Sequence, residues 1–452
     1  MADLPVYRGK FGAPQAERLL WRAGFGPKPG QSRKLARLAD RKGIKAAVRS
    51  LTRAKGQPQL VGPEPLDEDG LPLAPFDAYG HDVLWWLDRM VRSSHQFVER
   101  MALVWHDWFA TADVDSQQLN IQQSDTFRSL GLTTFPQLLD AVTIDPAMLV
   151  WLSGLQNTKR KPNENYAREL MELFTLGVSN AEGYPYTETD VREQARALTG
   201  WRADYVNDVG YTNFRFDPTR FDPADKTIFG QTGAFGWQDS CRLCLAHPAH
   251  ETFFVNKLWS YFIPGLPKEK DRQALERLYV DGGHAILPVV EAILMHPRFY
   301  TGPAMVKPPI VYIAGLHRAR RRGVAGEWSW ISSVAGQRLF RPPNVAGWNE
   351  ERWLDTSTFR GRWIAANEVA GPDAIDSEKP YNARENSKTA LRKALRYWGN
   401  PSISAQTRKS LLGFCNAVDK TAREDWEKSA YRALRQNALR MLIATAPDMQ
   451  AS

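Results

Sequence analysis

Cysteine is scarce in this chain: Cys241, Cys244 and Cys415 are the three present in 452 residues. A disulfide framework is therefore excluded. No run of 18 consecutive apolar residues occurs, so no transmembrane helix is expected. The amino-terminal Met1-Ala-Asp-Leu-Pro5 lacks the apolar core of a signal peptide, and no export signal is read from it. Glycine-rich phosphate loops, HExxH and GxSxG are missing too. Their absence leaves nucleotide binding, zincin proteolysis and α/β-hydrolase chemistry without support. The apolar share of 43% is that of a globular protein with ample core.

Tryptophan, by contrast, is plentiful at 16 residues. Most are expected in the core, and a minority can line a groove, because aromatic faces suit sugars and cations. The net charge of +9 is unevenly spread. Residues 1–60 carry a local +11 and residues 371–452 a local +5, so the body between them sums to −7. Over 30–53, Lys34, Arg37, Arg41, Lys45 and Arg49 fall near one helical face, with Leu35, Leu38, Ile44, Val48 and Leu51 broadly opposite. That pattern predicts a helix docked by its apolar side with a cationic stripe outward. A solvated face is the plain expectation; an anionic polymer or membrane surface is the functional one. Nucleic acid is not expected, since no recognised nucleic-acid module accompanies the stripe.

The densest stretch is Lys161-Pro-Asn-Glu-Asn-Tyr-Ala-Arg-Glu-Leu-Met-Glu-Leu-Phe-Thr-Leu-Gly177. Pro162 and Asn163 supply a helix start and Gly177 a stop. Tyr166, Leu170, Leu173 and Phe174 share an apolar face, and Asn165, Glu169 and Glu172 a polar one beside it. Helical periodicity of this kind dominates the chain. Thr187-Glu-Thr-Asp190 is a capping box for a helix over 188–199. Residues 201–236 mix β-branched and aromatic residues with turn formers, which predicts a small hairpin or long loop. Residues 56–77 read as a linker or surface loop, and 340–350 as a rigid loop between helices. The fold expected is mainly α: an irregular multi-helix body over 1–370 with a β insertion at 201–236, followed by a basic helical extension over 371–452.

Four segments in order carry a resemblance. They are Ala16-Glu-Arg-Leu-Leu-Trp-Arg-Ala-Gly-Phe-Gly26; Glu99-Arg-Met-Ala-Leu-Val-Trp-His-Asp-Trp-Phe-Ala110; Asn163 to Gly177 with Tyr186-Thr-Glu-Thr-Asp-Val-Arg-Glu-Gln-Ala-Arg-Ala-Leu-Thr-Gly-Trp201; and Arg341-Pro-Pro-Asn-Val-Ala-Gly-Trp348. Phe216-Asp-Pro-Thr-Arg-Phe-Asp222 with Lys226 and Gly230 fits as well. Over roughly 14–368 the chain resembles the bacterial family catalogued as domain of unknown function 1800. The resemblance implies a helical fold and no settled activity. It also implies extracytoplasmic work for many members and, by genomic association, a sulfatase-like partner. Phe174 and Phe221 stand where relatives often carry histidine, so the resemblance implies no metal at those places.

Two readings of the chemistry stand side by side. Glu169 and Glu172 lie at i,i+3 on one face, and Asp190 or Asp222 can oppose them, the pairing that acid/base hydrolysis of a polymer needs. His106, Asn165, Arg168, Arg192, Arg196, Trp201, Lys226, Asn344 and Trp348 would then help hold a carbohydrate-like ligand in an aromatic-lined cleft. The alternative is a non-catalytic binding or assembly protein in which Glu164, Arg168, Glu172, Arg192 and Arg196 form a structural lattice. Cys241, Cys244, His247 and His250 are ligand types that suit zinc. Their C-x2-C-x2-H-x2-H spacing matches no common finger; a redox pair of Cys241 and Cys244 is the other functional reading, and structural residues are the plain one. No metal and no cofactor is expected.

Overall fold

The helix Gln96–Trp108 shows how this sequence builds its core. Phe97, Met101, Val104, Trp105 and Trp108 recur at helical spacing and are all buried. Trp105 and Trp108 stack among Phe109, Phe135, Phe174 and Phe254, with ring centroids 5.0–6.4 Å apart in the pairs they make. Aromatic rings at such offsets each bury a large apolar area, so truncating Trp108 would cost about 3–5 kcal/mol. The computed structural model describes residues 4–112, 114, 116–178 and 185–452. It is 57% helical, with two small antiparallel strand pairs among the described residues. The mainly α expectation holds.

Helix starts follow local chemistry. Asp145 accepts from the Met148 N–H to open Pro146–Trp151, and Asp355 from Thr358 N–H to open Thr356–Ala370. The reciprocal capping box of Thr187 and Asp190 opens Glu188–Ala197. The strands fall within 201–236, where Trp201–Val206 pairs with Gly210–Phe216 and Lys226–Ile228 with Gln231–Gly233. The basic segment folds as Gln31–Thr52, interrupted at Gly43; Lys34, Arg37, Arg41 and Lys45 face solvent.

One expectation is corrected. Residues 163–177 are not one α-helix: Asn165–Glu169 is α, and Leu170–Thr175 is a π-helix. The wider turn shifts the last carbonyls off the α register, and tertiary donors take them. Trp108 Nε1 donates to Phe174 O at 3.2 Å, Lys257 Nζ to Leu173 O at 2.7 Å, and His250 Nδ1 lies 3.0 Å from Thr175 O. Packing overrides the local α preference because a buried carbonyl left unpaired is costly.

The carboxy-terminal helices are packed on this body. Ser387–Tyr397, Ala405–Thr421 and Asp425–Ala444 pack on one another, and the last also packs on Thr356–Ala370. Tyr312 Oη donates to Ala444 O at 3.0 Å, and Lys307 Nζ to Met449 O at 2.8 Å.

Candidate functional site

The residues singled out at 163–222 are largely bonded to one another. Arg168 forms a bidentate pair with Glu188, at 2.9 and 2.7 Å, and reaches Glu164 at 3.3 Å. Arg196 donates to Asp222 at 2.8 Å and to both oxygens of Glu193 at 3.0 and 2.8 Å. Asp190 is also fully engaged: one oxygen accepts from Thr187 N–H and the other from Phe229 N–H, each at 2.7 Å. The Arg196 bond and the Ala224 N–H hold the Asp222 carboxyl below its ordinary pKa, against the effect of burial. Lys226 is buried, donates to Asp222 O and lies 4.8 Å from the Phe221 ring. Arg192 is exposed and donates to Thr189 Oγ1; Asn165 is exposed. Trp201 packs on Phe216 and Trp237 at 5.6 and 6.3 Å.

Glu169 and Glu172 differ from these neighbours. Both are half-buried, and neither is hydrogen-bonded or ion-paired among the described residues. Burial, then the nearby Glu172 charge, raises the Glu169 pKa.

The motifs around His106 and Trp348 do meet, but they meet in the interior. His106 is fully buried among Trp86, Phe340 and Trp348, at 5.2–5.5 Å. Neither ring nitrogen has a partner among the described residues. Burial, with the charge of Arg341, pushes its pKa down to about 3, so the ring is neutral. The next residue makes the junction. Asp107 accepts from the Trp348 N–H at 2.8 Å and from Tyr261 Oη at 2.7 Å. Gly347 has φ +90°, and a Cβ there would lie 2.3 Å from Asp107 Oδ1. Only glycine allows that approach without strain. Asn344 shapes the same turn by accepting from Ala346 N–H at 2.9 Å. Glu350 lies close by; desolvation of its carboxyl, then the Asp107 charge, pushes its pKa up to about 7 although the residue as a whole is exposed. The cavity between these side chains is only about 20 Å³, room for about one water and no substrate.

The cysteines and histidines at 241–250 bond to different partners. Cys241 Sγ lies 3.2 Å from Thr143 Oγ1, Cys244 meets Gln194, and His250 Nε2 lies 3.0 Å from Tyr279 Oη. Among the described residues no group of three His, Cys, Asp or Glu is placed to hold a metal ion.

A far larger space lies elsewhere, and sequence reading did not find it. A groove of about 710 Å³ runs between the start of the helix His81–Arg92 and the helix Trp328–Val334. Tyr79 and Trp330 line it with 78% and 54% of their surface exposed. Arg338 donates to Tyr79 Oη at 2.6 Å and its guanidinium lies 4.7 Å from the ring centroid, which fixes the platform. Gly80 lets the walls approach: φ is +84°, and a Cβ would sit 3.1 Å from Ser329 Oγ. Glu68, Asp69 and Glu327 line the groove without a side-chain partner among the described residues, whereas Asp67 is engaged by two backbone N–H groups of its own loop. His81 Nδ1 accepts from Ala74 N–H at 3.0 Å, so a neutral ring carries its proton on Nε2. The sequence did hold a signal. Trp328 and Trp330 stand at i,i+2 on a helix, where both cannot face the core.

In comparisons with known proteins, the family described as "Protein of unknown function (DUF1800)" matches residues 18–451. No curated protein and no solved structure matches the chain.

Proposed function

Because the chain belongs to the DUF1800 family, whose description names no activity, we propose from its own geometry that it is a non-catalytic binding protein that holds a neutral or cationic carbohydrate in the Tyr79–Trp330 groove. The observation that carries this reading is a pair of exposed aromatic faces, one clamped by Arg338, lining one groove together with unpartnered carboxylates. Sugar rings present C–H faces that pack on aromatics and hydroxyls that donate to carboxylates. A volume of about 710 Å³ is in the range of small-ligand sites. Glu68, Asp69 and Glu327 repel a polyanion here, so the ligand in this groove is not an acidic polymer.

Acid/base hydrolysis at Glu169, Glu172, Asp190 and Asp222 has less support. A general acid or base needs a free proton position near the substrate. Asp190 and Asp222 are engaged by Thr187, Phe229, Arg196 and Ala224. Arg168 and Arg196 join a lattice with Glu164, Glu188, Glu193 and Asp222, whereas Glu172 and Arg192, also expected in it, make no ion pair among the described residues.

Titration calorimetry against neutral glucan, mannan and chitin oligosaccharides tests the proposal. Tyr79→Ala with Trp330→Ala should weaken binding of whichever oligosaccharide binds by at least about tenfold, since lost stacking is worth about 1–3 kcal/mol. Melting should stay unchanged, because both side chains are exposed. If no oligosaccharide binds the native protein, or the double variant binds as well, the reading is wrong.

A further inference from the structure

A second pocket, of about 270 Å³, has the opposite chemistry. Lys28, Arg92, Arg318, Arg321 and Arg322 line it together with Val61, Gly62, Pro63 and Val91. Two of the five cations have a carboxylate partner, and one of those carboxylates is shared with Arg320. Asp88 holds Arg92 at 2.7 and 2.8 Å, and Asp373 holds Arg322 at 2.9 Å. The other three have no carboxylate partner among the described residues.

Arg318 is the unusual member. Its guanidinium is buried, with the residue 2% exposed. It donates to Gly26 O at 2.9 Å, Val91 O at 3.0 Å and Gln31 Oε1 at 3.5 Å. These acceptors are all neutral. They orient the fork and use three of its five N–H donors, but leave its charge uncompensated. A buried charge without a counter-charge is costly. Lys28 and Arg321 add to that cost instead of relieving it, and Arg321 does so from a left-handed backbone, φ +53°. That conformation is the C-cap of the helix Pro309–Arg320, and it is helix termination that places Arg321 beside the pocket. Burial pushes the Arg318 pKa down to about 9, and burial with the Arg318 and Arg321 charges lowers that of Lys28. The groups strain against one another as they stand.

We infer that this pocket binds a tetrahedral oxyanion, sulfate or phosphate, held between Arg318, Arg321 and Lys28. Such an anion would supply the missing counter-charge and accept from the free guanidinium donors. The pocket is larger than an inorganic ion alone requires, so an ester group on a sugar can enter as well as the free ion. This site is separate from the Tyr79–Trp330 groove in its lining residues and in the sign of its charge, and it stands or falls independently of the function proposed there.

The test is titration calorimetry of the full chain with sodium sulfate, sodium phosphate, glucose 6-sulfate and glucose 6-phosphate, at an ionic strength of about 0.1 M held constant with sodium chloride. Lys28→Gln with Arg321→Gln is the chosen variant, since neither side chain is hydrogen-bonded or ion-paired among the described residues. Arg318→Met is the second, read together with its melting curve. The expected result is saturable binding of at least one oxyanion, at least about tenfold weaker in the double variant. A rise in Tm on adding that oxyanion should also be smaller in the double variant than in the native chain. Binding of inorganic ions with exclusion of the sugar esters identifies the free ion as occupant; binding of both identifies the ester group. Absence of saturable binding beyond that of chloride, or equal binding by native chain and double variant, overturns the inference.

Discussion

The lattice at 164–222 and the groove at Tyr79–Trp330 are both rich in carboxylates, but they use them in opposite ways. In the lattice Glu164, Glu188, Asp190, Glu193 and Asp222 each meet a guanidinium or a backbone N–H. In the groove Glu68, Asp69 and Glu327 meet none among the described residues, and the aromatic faces beside them are left to solvent. Saturated carboxylates hold elements of the fold together. Unsaturated ones beside a fixed, exposed ring are available to a ligand. The density of charged residues in the sequence therefore pointed to the scaffold, and the groove proposed to bind a ligand lies where motifs are sparse.

Among the carboxylates, the largest stability effect is expected at the interior junction, where Asp107 is fully engaged. Asp107→Ala removes the acceptor of Trp348 N–H and Tyr261 Oη and should cost about 3 kcal/mol, measured by urea denaturation. A loss under about 1 kcal/mol would mean that the junction does not hold the 341–348 loop. Next comes the lattice. Asp190→Ala removes the acceptor of Thr187 N–H, the reciprocal half of the capping box, and the acceptor of Phe229 N–H, for an expected loss of about 1–2 kcal/mol. Any ligand affinity should be unaffected by this change once the protein is folded. A loss of binding with unchanged melting would reverse the assignment of Asp190 to the scaffold.

The smallest effect separates Glu169 from its paired neighbours, and here its sign decides. Burial raises the Glu169 pKa above its ordinary 4.5. The folded state therefore favours the protonated form, and stability is lost as pH rises from the ordinary value through the raised one. Glu169→Gln should raise Tm at pH 7 and leave it unchanged near pH 4. A lower Tm at pH 7 would show that the carboxylate has a stabilising partner.

Much of the fold was legible. A helix with an apolar stripe and a cap, such as Glu188–Ala197, was read within a few residues, as was the position of the strands. Ile286–Met295 was missed because Ile-Leu-Pro-Val-Val-Glu-Ala-Ile-Leu-Met is apolar on nearly every side and gives no amphipathic period. The π-turn at Leu170–Thr175 is set by Trp108, Lys257 and His250, which are distant in sequence. The candidate site was less legible still. Residues 56–77 looked like a linker because Pro, Gly and acidic residues dominate it, and only the tertiary fold sets Tyr79 across from Trp330.

One titration bears most directly on the division between scaffold and groove. A neutral oligosaccharide that binds the native chain is measured by calorimetry against Tyr79→Ala/Trp330→Ala and against Glu169→Gln/Glu172→Gln. Affinity should fall at least about tenfold in the aromatic pair and stay within about twofold in the carboxylate pair. The reverse pattern, binding retained without the aromatic faces and lost without Glu169 and Glu172, would contradict it and return the ligand to the segment that carries Glu169 and Glu172.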